Sequence, residues 1–172
     1  MKYRWLQIIL FWTITTGLPL HLYGQNTPSP QDSQRLEILH ADDIYFETIN
    51  GQTVQKLIGN VKLYQDSTFI LLDSAILLNQ HIDAFGHIII IQGDSTNIYS
   101  DTLIFEGDKK YADLFGEVVL EDRNQKLFTK QLHYDIKTKI GTYYHSALLT
   151  NGKTHLRSKK GRYYVREKYA FF

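Results

Sequence analysis

The chain has 172 residues, of which 43% are hydrophobic and 22% charged, and its formal net charge is +1. That composition supplies a packed core and argues against general disorder, and the charge is too small to point to nucleic acid. The absence of cysteine excludes disulfides, thiolate metal sites, cysteine catalysis and anchoring through an N-terminal cysteine.

In chain order, "MKYR" is a short basic start and "WLQIILFWTITTGLPL" (Trp5 to Leu20) an apolar stretch. The sequence then turns polar, with Gly24 before Gln25. Residues 1–24 are read as a secretory signal peptide cut after Gly24. The rival is an uncleaved anchor, but Thr13, Thr15, Thr16 and Pro19 break the apolar run. Residues 25–35, which contain "NTPSPQDSQ", read as a flexible linker. From residue 36 to 172 the pattern is two-residue alternation, as in "QKLIGNVKLYQD" and "LFTKQLHYDI". With 12 Tyr and 9 Phe against 3 Pro, it predicts an all-β domain. "HIDAFGHIIIIQGD" holds four consecutive isoleucines, which fits a strand buried on both faces or one at a tight bend. Asn50-Gly51, Gly93-Asp94, Gly107-Asp108, Asp122 to Gln125 and Asn151-Gly152 mark the turns.

One phrase recurs: "LIGNVKLYQD", "AFGHIIIIQGD" and "LFGEVVLEDRN". Its glycines stand at 59, 86 and 116, spaced 27 and 30 residues apart, and His145 takes the glycine's place after a further 29. A second phrase, out of phase with the first, is two apolar residues separated by one. It occurs as Ile44/Phe46, Ile76/Leu78, Leu103/Phe105 and Leu132/Tyr134, with a weaker copy ending in Tyr163. A unit of about 28 residues with two or three short strands cannot bury its apolar face alone, so stacked copies are expected to build one continuous core. Val61, Ile88, Val118 and Ala147 form one expected inward row, and Leu63, Ile90, Leu120 and Leu149 the next. Lys62, Glu117, Glu121 and Asp122 are expected outside or in turns. The glycine suits the place where a strand bends from one sheet to the other.

Sites for chemistry are sparse. The seven histidines form neither H-x-H nor H-E-x-x-H, and there is no G-x-S-x-G or clustered-glycine phosphate loop. "HID" at His81 to Asp83 reads as an exposed turn rather than a metal pair. Asp42 and Asp43 sit at a strand entrance, and adjacent strand residues point to opposite faces, which does not suit shared acid–base work. No enzyme, metal or cofactor is expected.

"GNVKLYQDSTFILLDSAIL" and "LFGEVVLEDRNQKLFTKQLHYD" resemble the OstA-like (organic solvent tolerance) family. The shared pattern is G-N/E-V-x-L, a polar turn, a strand and then A/Q-x-L-x-Y-D, and it runs from about Leu36 to Tyr164. The resemblance implies an open β-jellyroll of two splayed sheets with an apolar groove, located in the periplasm and serving lipopolysaccharide binding and transfer towards the outer membrane. The groove would be lined by Val61, Leu63, Ile76, Leu78, Ile88, Ile90, Leu103, Phe105, Val118, Leu120, Leu132, Tyr134, Ala147 and Leu149. The basic residues Arg157, Lys159, Lys160 and Arg162 would meet headgroup phosphates, or else form a charged edge that resists aggregation. Other β-jellyroll domains are the expected protein partners, joined by edge-strand addition, with a head-to-tail homo-oligomer as one form. The isoleucine run, the missing fourth glycine and the end at "REKYAFF" depart from the pattern, and the last fits either an N-terminal piece of a longer protein or a naturally short member. A closed structural core that assembles without lipid would need the same inward residues, so both readings stay open here.

Overall fold

The computed structural model describes residues 35–172; the signal peptide and nearly all of the linker expected in residues 1–35 lie outside the described residues. Thirteen strands follow one another: β1 (Glu37–His40), β2 (Asp43–Ile49), β3 (Gln52–Gln65), β4 (Thr68–Leu78), β5 (His81–Gln92), β6 (Thr96–Glu106), β7 (Tyr111–Asp122), β8 (Gln125–Asp135), β9 (Ile140–Tyr143), β10 (Ala147–Thr150), β11 (His155–Ser158), β12 (Gly161–Tyr164) and β13 (Tyr169–Phe171). All pairings are antiparallel, and β3 to β8 form an uninterrupted meander. The sheet does not close on itself.

The long strands fold this sheet into two leaves. In β3 the register with β4 shifts between Ile58 and Val61; in β5 and β7 the matching shifts fall between Phe85 and Ile88, and between Phe115 and Val118. At each shift the glycine-bearing strand carries one more residue than its neighbour, which is a β-bulge, and a bulge bends its strand. The bulges lie side by side and make one crease. The first leaf takes β2, the glycine-preceding halves of β3, β5 and β7, the second halves of β4, β6 and β8, and then β9, β12 and β13. The second leaf takes β1, the remaining halves, and then β10 and β11.

Side chains that face inward from both leaves form one core. In the second leaf Leu63, Ile70, Ile90, Ile98, Leu120 and Leu127 make one cross-strand row, each at most 1% exposed. Burying a side chain of this size contributes about 1.5–3 kcal/mol relative to leaving it in water. The isoleucine run splits by parity: Ile88 and Ile90 are inside, and Ile89 and Ile91 lie half-buried on the outer face just past the Gly86 bend.

Two expected facings need correction. Ile76 and Leu78 lie on the outer side, and their neighbours Ala75 and Leu77 are the buried residues. The first apolar pair after the polar cluster Asp73-Ser74 starts at Ala75, a small residue that pattern reading passes over. Asp122, expected outside or in a turn, ends β7 and is only 4% exposed, because the alternation through Val118 and Leu120 continues to it and turns it inward.

Candidate functional site

The crease is built by two residues per repeat, a glycine and an aspartate, and of the aspartates the sequence reading weighed Asp42 alone, for acid–base work. Gly59, Gly86 and Gly116 all have positive φ, with Gly116 at +97°. A Cβ on Gly59 would run into the Asp42 carboxylate, one on Gly86 into Asp73, and one on Gly116 into Asp101. The carboxylate therefore occupies the space a side chain would take, and it is used there. Asp42 accepts from Asn60 Nδ2 at 2.8 Å, Asp73 pairs with His87 Nδ1 at 2.7 Å, and Asp101 accepts from the Glu117 backbone N–H at 2.9 Å. The Asp73 carboxylate, by hydrogen bond and charge, raises the His87 pKa above its ordinary value. These aspartates open the second phrase, so the two interleaved phrases are the two sides of one packed crease. Their signal in the sequence was the acidic residue two or three places ahead of each apolar pair.

In the fourth copy Lys130 stands in the aspartate's place and His145 in the glycine's. No bent strand forms there. The chain divides into β9, which continues the first leaf beside Tyr134, and β10, which continues the second beside Phe128. Thr129 Oγ1 lies 3.2 and 3.3 Å from the carbonyls of His145 and Ser146 in the connecting segment.

Opposite the crease, the free margins of the leaves meet at a mouth lined with polar groups. Gln65, Thr68, Gln92, Thr96 and Asp122 form a buried row there. Gln92 Nε2 donates to the Ile136 carbonyl at 2.7 Å, and Tyr134 Oη donates to Gln92 Oε1 at 2.8 Å. Gln65 Nε2 reaches the Gly107 carbonyl at 3.3 Å, and Tyr163 Oη donates to Gln125 Oε1 at 2.8 Å. Lys110 and Asp66 pair across the same margin. Burial, with Asp122 nearby, raises the pKa of the Tyr134 hydroxyl and pushes that of Tyr163 up to about 12, so both stay protonated donors. Gln65 and Gln92 each end a strand just before a turn, and their parity with Leu63 and Ile90 turns them inward.

Of the expected groove residues, Val61, Leu63, Ile88, Ile90, Leu103, Phe105, Val118, Leu120, Leu132, Tyr134, Ala147 and Leu149 all belong to the shared core. Leu149, the most exposed of them, shows 9% of its surface. Ile76 and Leu78 are excluded from that set by their outward facing. The basic candidates divide between two outer surfaces. Arg157 and Lys159 rim a cleft of about 430 Å³ on the second leaf. Lys160 and Arg162 line a depression of about 360 Å³ with Tyr144, Phe171 and Phe172 on the first. His81 to Asp83, expected as an exposed turn, instead open β5 with Ile82 buried; His81 sits on the outer face and pairs with Glu106 at 2.9 Å and Asp83 at 3.4 Å.

At the chain's N-terminal side the interior is uncapped. Ile44 and Phe46 continue the inward rows beside Leu57 and Gln55, yet are 46% and 70% exposed. At the other side Tyr169, Phe171 and Phe172 are exposed on and beside β13.

Comparison with known proteins gives the following. The sequence profile of the OstA-like protein family matches residues 33–172. No curated protein matches the sequence. Among solved structures the chain is similar to LptH, the LptA-homologous periplasmic component of the conserved lipopolysaccharide transport device from Pseudomonas aeruginosa. The TM-score is 0.57 at 16% identity, and the match covers 75% of this chain and 98% of that one. At that identity the likeness is one of fold.

Proposed function

From the premise that this chain belongs to the OstA-like family, we propose that it is a non-enzymatic periplasmic component of lipopolysaccharide transport, which carries acyl chains between its leaves towards the outer membrane. The observation that carries the reading is the architecture: two continuous apolar leaves that face each other, hinged along a glycine crease on one side and bridged by side chains on the other. Parting the mouth gives up the side-chain bridges and the apolar contact between the two inward faces, and presents Leu63, Ile90, Leu120 and their neighbours to a lipid tail. Each buried methylene contributes about 0.8 kcal/mol, so a chain of a dozen, lying between the leaves, supplies roughly 10 kcal/mol to replace the leaf-to-leaf contact and the bridges. The uncapped β1–β2 and β12–β13 ends suit strand addition by similar domains, including further copies of this chain in a head-to-tail stack.

A second reading, a closed scaffold that assembles through its edges without lipid, is favoured by one observation: the inward rows are almost fully buried in the isolated chain. A photoreactive residue at Val118 or Leu120 separates the two. Labelling by lipopolysaccharide supports the carrier; inaccessibility of both positions even to a small apolar probe supports the scaffold.

A further inference from the structure

The outer face of the second leaf carries an apolar row that the interior does not explain. Hydrogen-bonded neighbours place Lys62, Leu71, Ile89, Tyr99, Val119, Phe128, Leu148 and Arg157 in one line across eight strands. Six consecutive positions are apolar or aromatic on a face that alternation reserves for polar residues. All six are half-buried or exposed, with Phe128 at 38%. Neighbouring strands lie about 4.8 Å apart, so Leu71 to Leu148 spans about 24 Å.

The row ends in a built cleft. Val119, Phe128 and Leu148 form its floor, and Lys130, Arg157, Lys159 and Glu117 its rim. Lys130 is paired with Glu117. Arg157 and Lys159 have no acidic partner among the described residues. An apolar track that ends at two unpaired cations matches one chemistry: an anionic amphiphile, with its tail along the row and its phosphate at Arg157 and Lys159.

We propose that the second leaf's outer face is a separate binding track for a phosphate-bearing alkyl chain, with its head end at Arg157 and Lys159. It uses outward residues only, so it stands or falls independently of a lipid site between the leaves. It also gives the alternate isoleucines separate duties, Ile88 and Ile90 to the core and Ile89 to the track.

The test is titration of the full chain with dodecyl phosphate, with neutral dodecyl maltoside and inorganic phosphate as comparisons. The track predicts saturable binding of dodecyl phosphate, with both comparison compounds weaker. Replacing two charge-assisted contacts in the Arg157→Gln/Lys159→Gln variant weakens binding about tenfold or more. Phe128→Ser, on the surface, weakens it without loss of cooperative melting. A photoreactive residue at Val119 is labelled by the alkyl phosphate, and one at Leu120 is not. Unchanged affinity in both variants overturns the proposal, as does inorganic phosphate binding as well as the amphiphile. Labelling at Leu120 alone also overturns it, while leaving the interior reading intact. If Phe128→Ser instead abolishes a dimer of this chain seen by sedimentation, the row is a copy-to-copy contact and the track is wrong.

Discussion

Gly116→Ala probes the crease where its geometry is tightest. The substitution forces an L residue to hold φ at +97°, which costs about 1–2 kcal/mol. The new methyl also overlaps the Asp101 carboxylate, which must move and give up its bond from the Glu117 backbone N–H. Losing that bond adds about 1–1.5 kcal/mol. The sum is about 2–3.5 kcal/mol, read as a lower urea midpoint at unchanged slope. The same substitution in an Asp101→Gly background meets neither the carboxylate nor the Asp101 Cβ, which would otherwise lie 2.7 Å from the new methyl, and should cost only the backbone part. A double-mutant cycle should therefore show a coupling of about 1 kcal/mol or more between the two positions. Additive effects, or a cost below about 0.5 kcal/mol for the single variant, would refute the glycine–aspartate account of the crease.

Three further outcomes follow from the same geometry. Tyr134→Phe removes the donor to Gln92 in a buried setting and should destabilise by about 1–3 kcal/mol in chemical denaturation. Facing is tested by lysine: Ile76→Lys should cost about 1 kcal/mol or less, and Ala75→Lys more than about 3, since only the second buries an unpaired charge. The raised His87 pKa means that its pairing with Asp73 favours the folded state fully below the ordinary histidine value. That contribution is lost as pH rises through the raised value, and His87→Gln should remove this step from a plot of stability against pH.

Much of the fold was legible because its period is short and its punctuation strict. Glycines at near-regular intervals, with apolar pairs out of phase with them, marked the bend, the stack and most inward positions, from Val61 and Leu63 to Leu132 and Tyr134. The errors share one cause. Reading by residue type alone, rather than by parity, missed Ala75 because alanine is small, and Gln65, Gln92 and Asp122 because they are polar. Parity carried past the apolar run would have found all four. Arg157 and Lys159 were singled out as cations, but their position beside Phe128 and Leu148 depends on β10 and β11 joining the second leaf. That placement follows from the loss of the fourth glycine, whose structural effect is a divided strand rather than a bend.

The central claim is that the leaves part at the mouth to admit lipid. Since the chain has no native cysteine, an Asp66→Cys/Lys110→Cys variant can be clamped across the mouth with a short bis-maleimide, where those residues now pair. The direct measurement is lipopolysaccharide labelling by a photoreactive residue at Leu120, with and without the clamp. The account predicts labelling in the open variant and its loss once the mouth is clamped. Equal labelling in both states, or none in either, would contradict it.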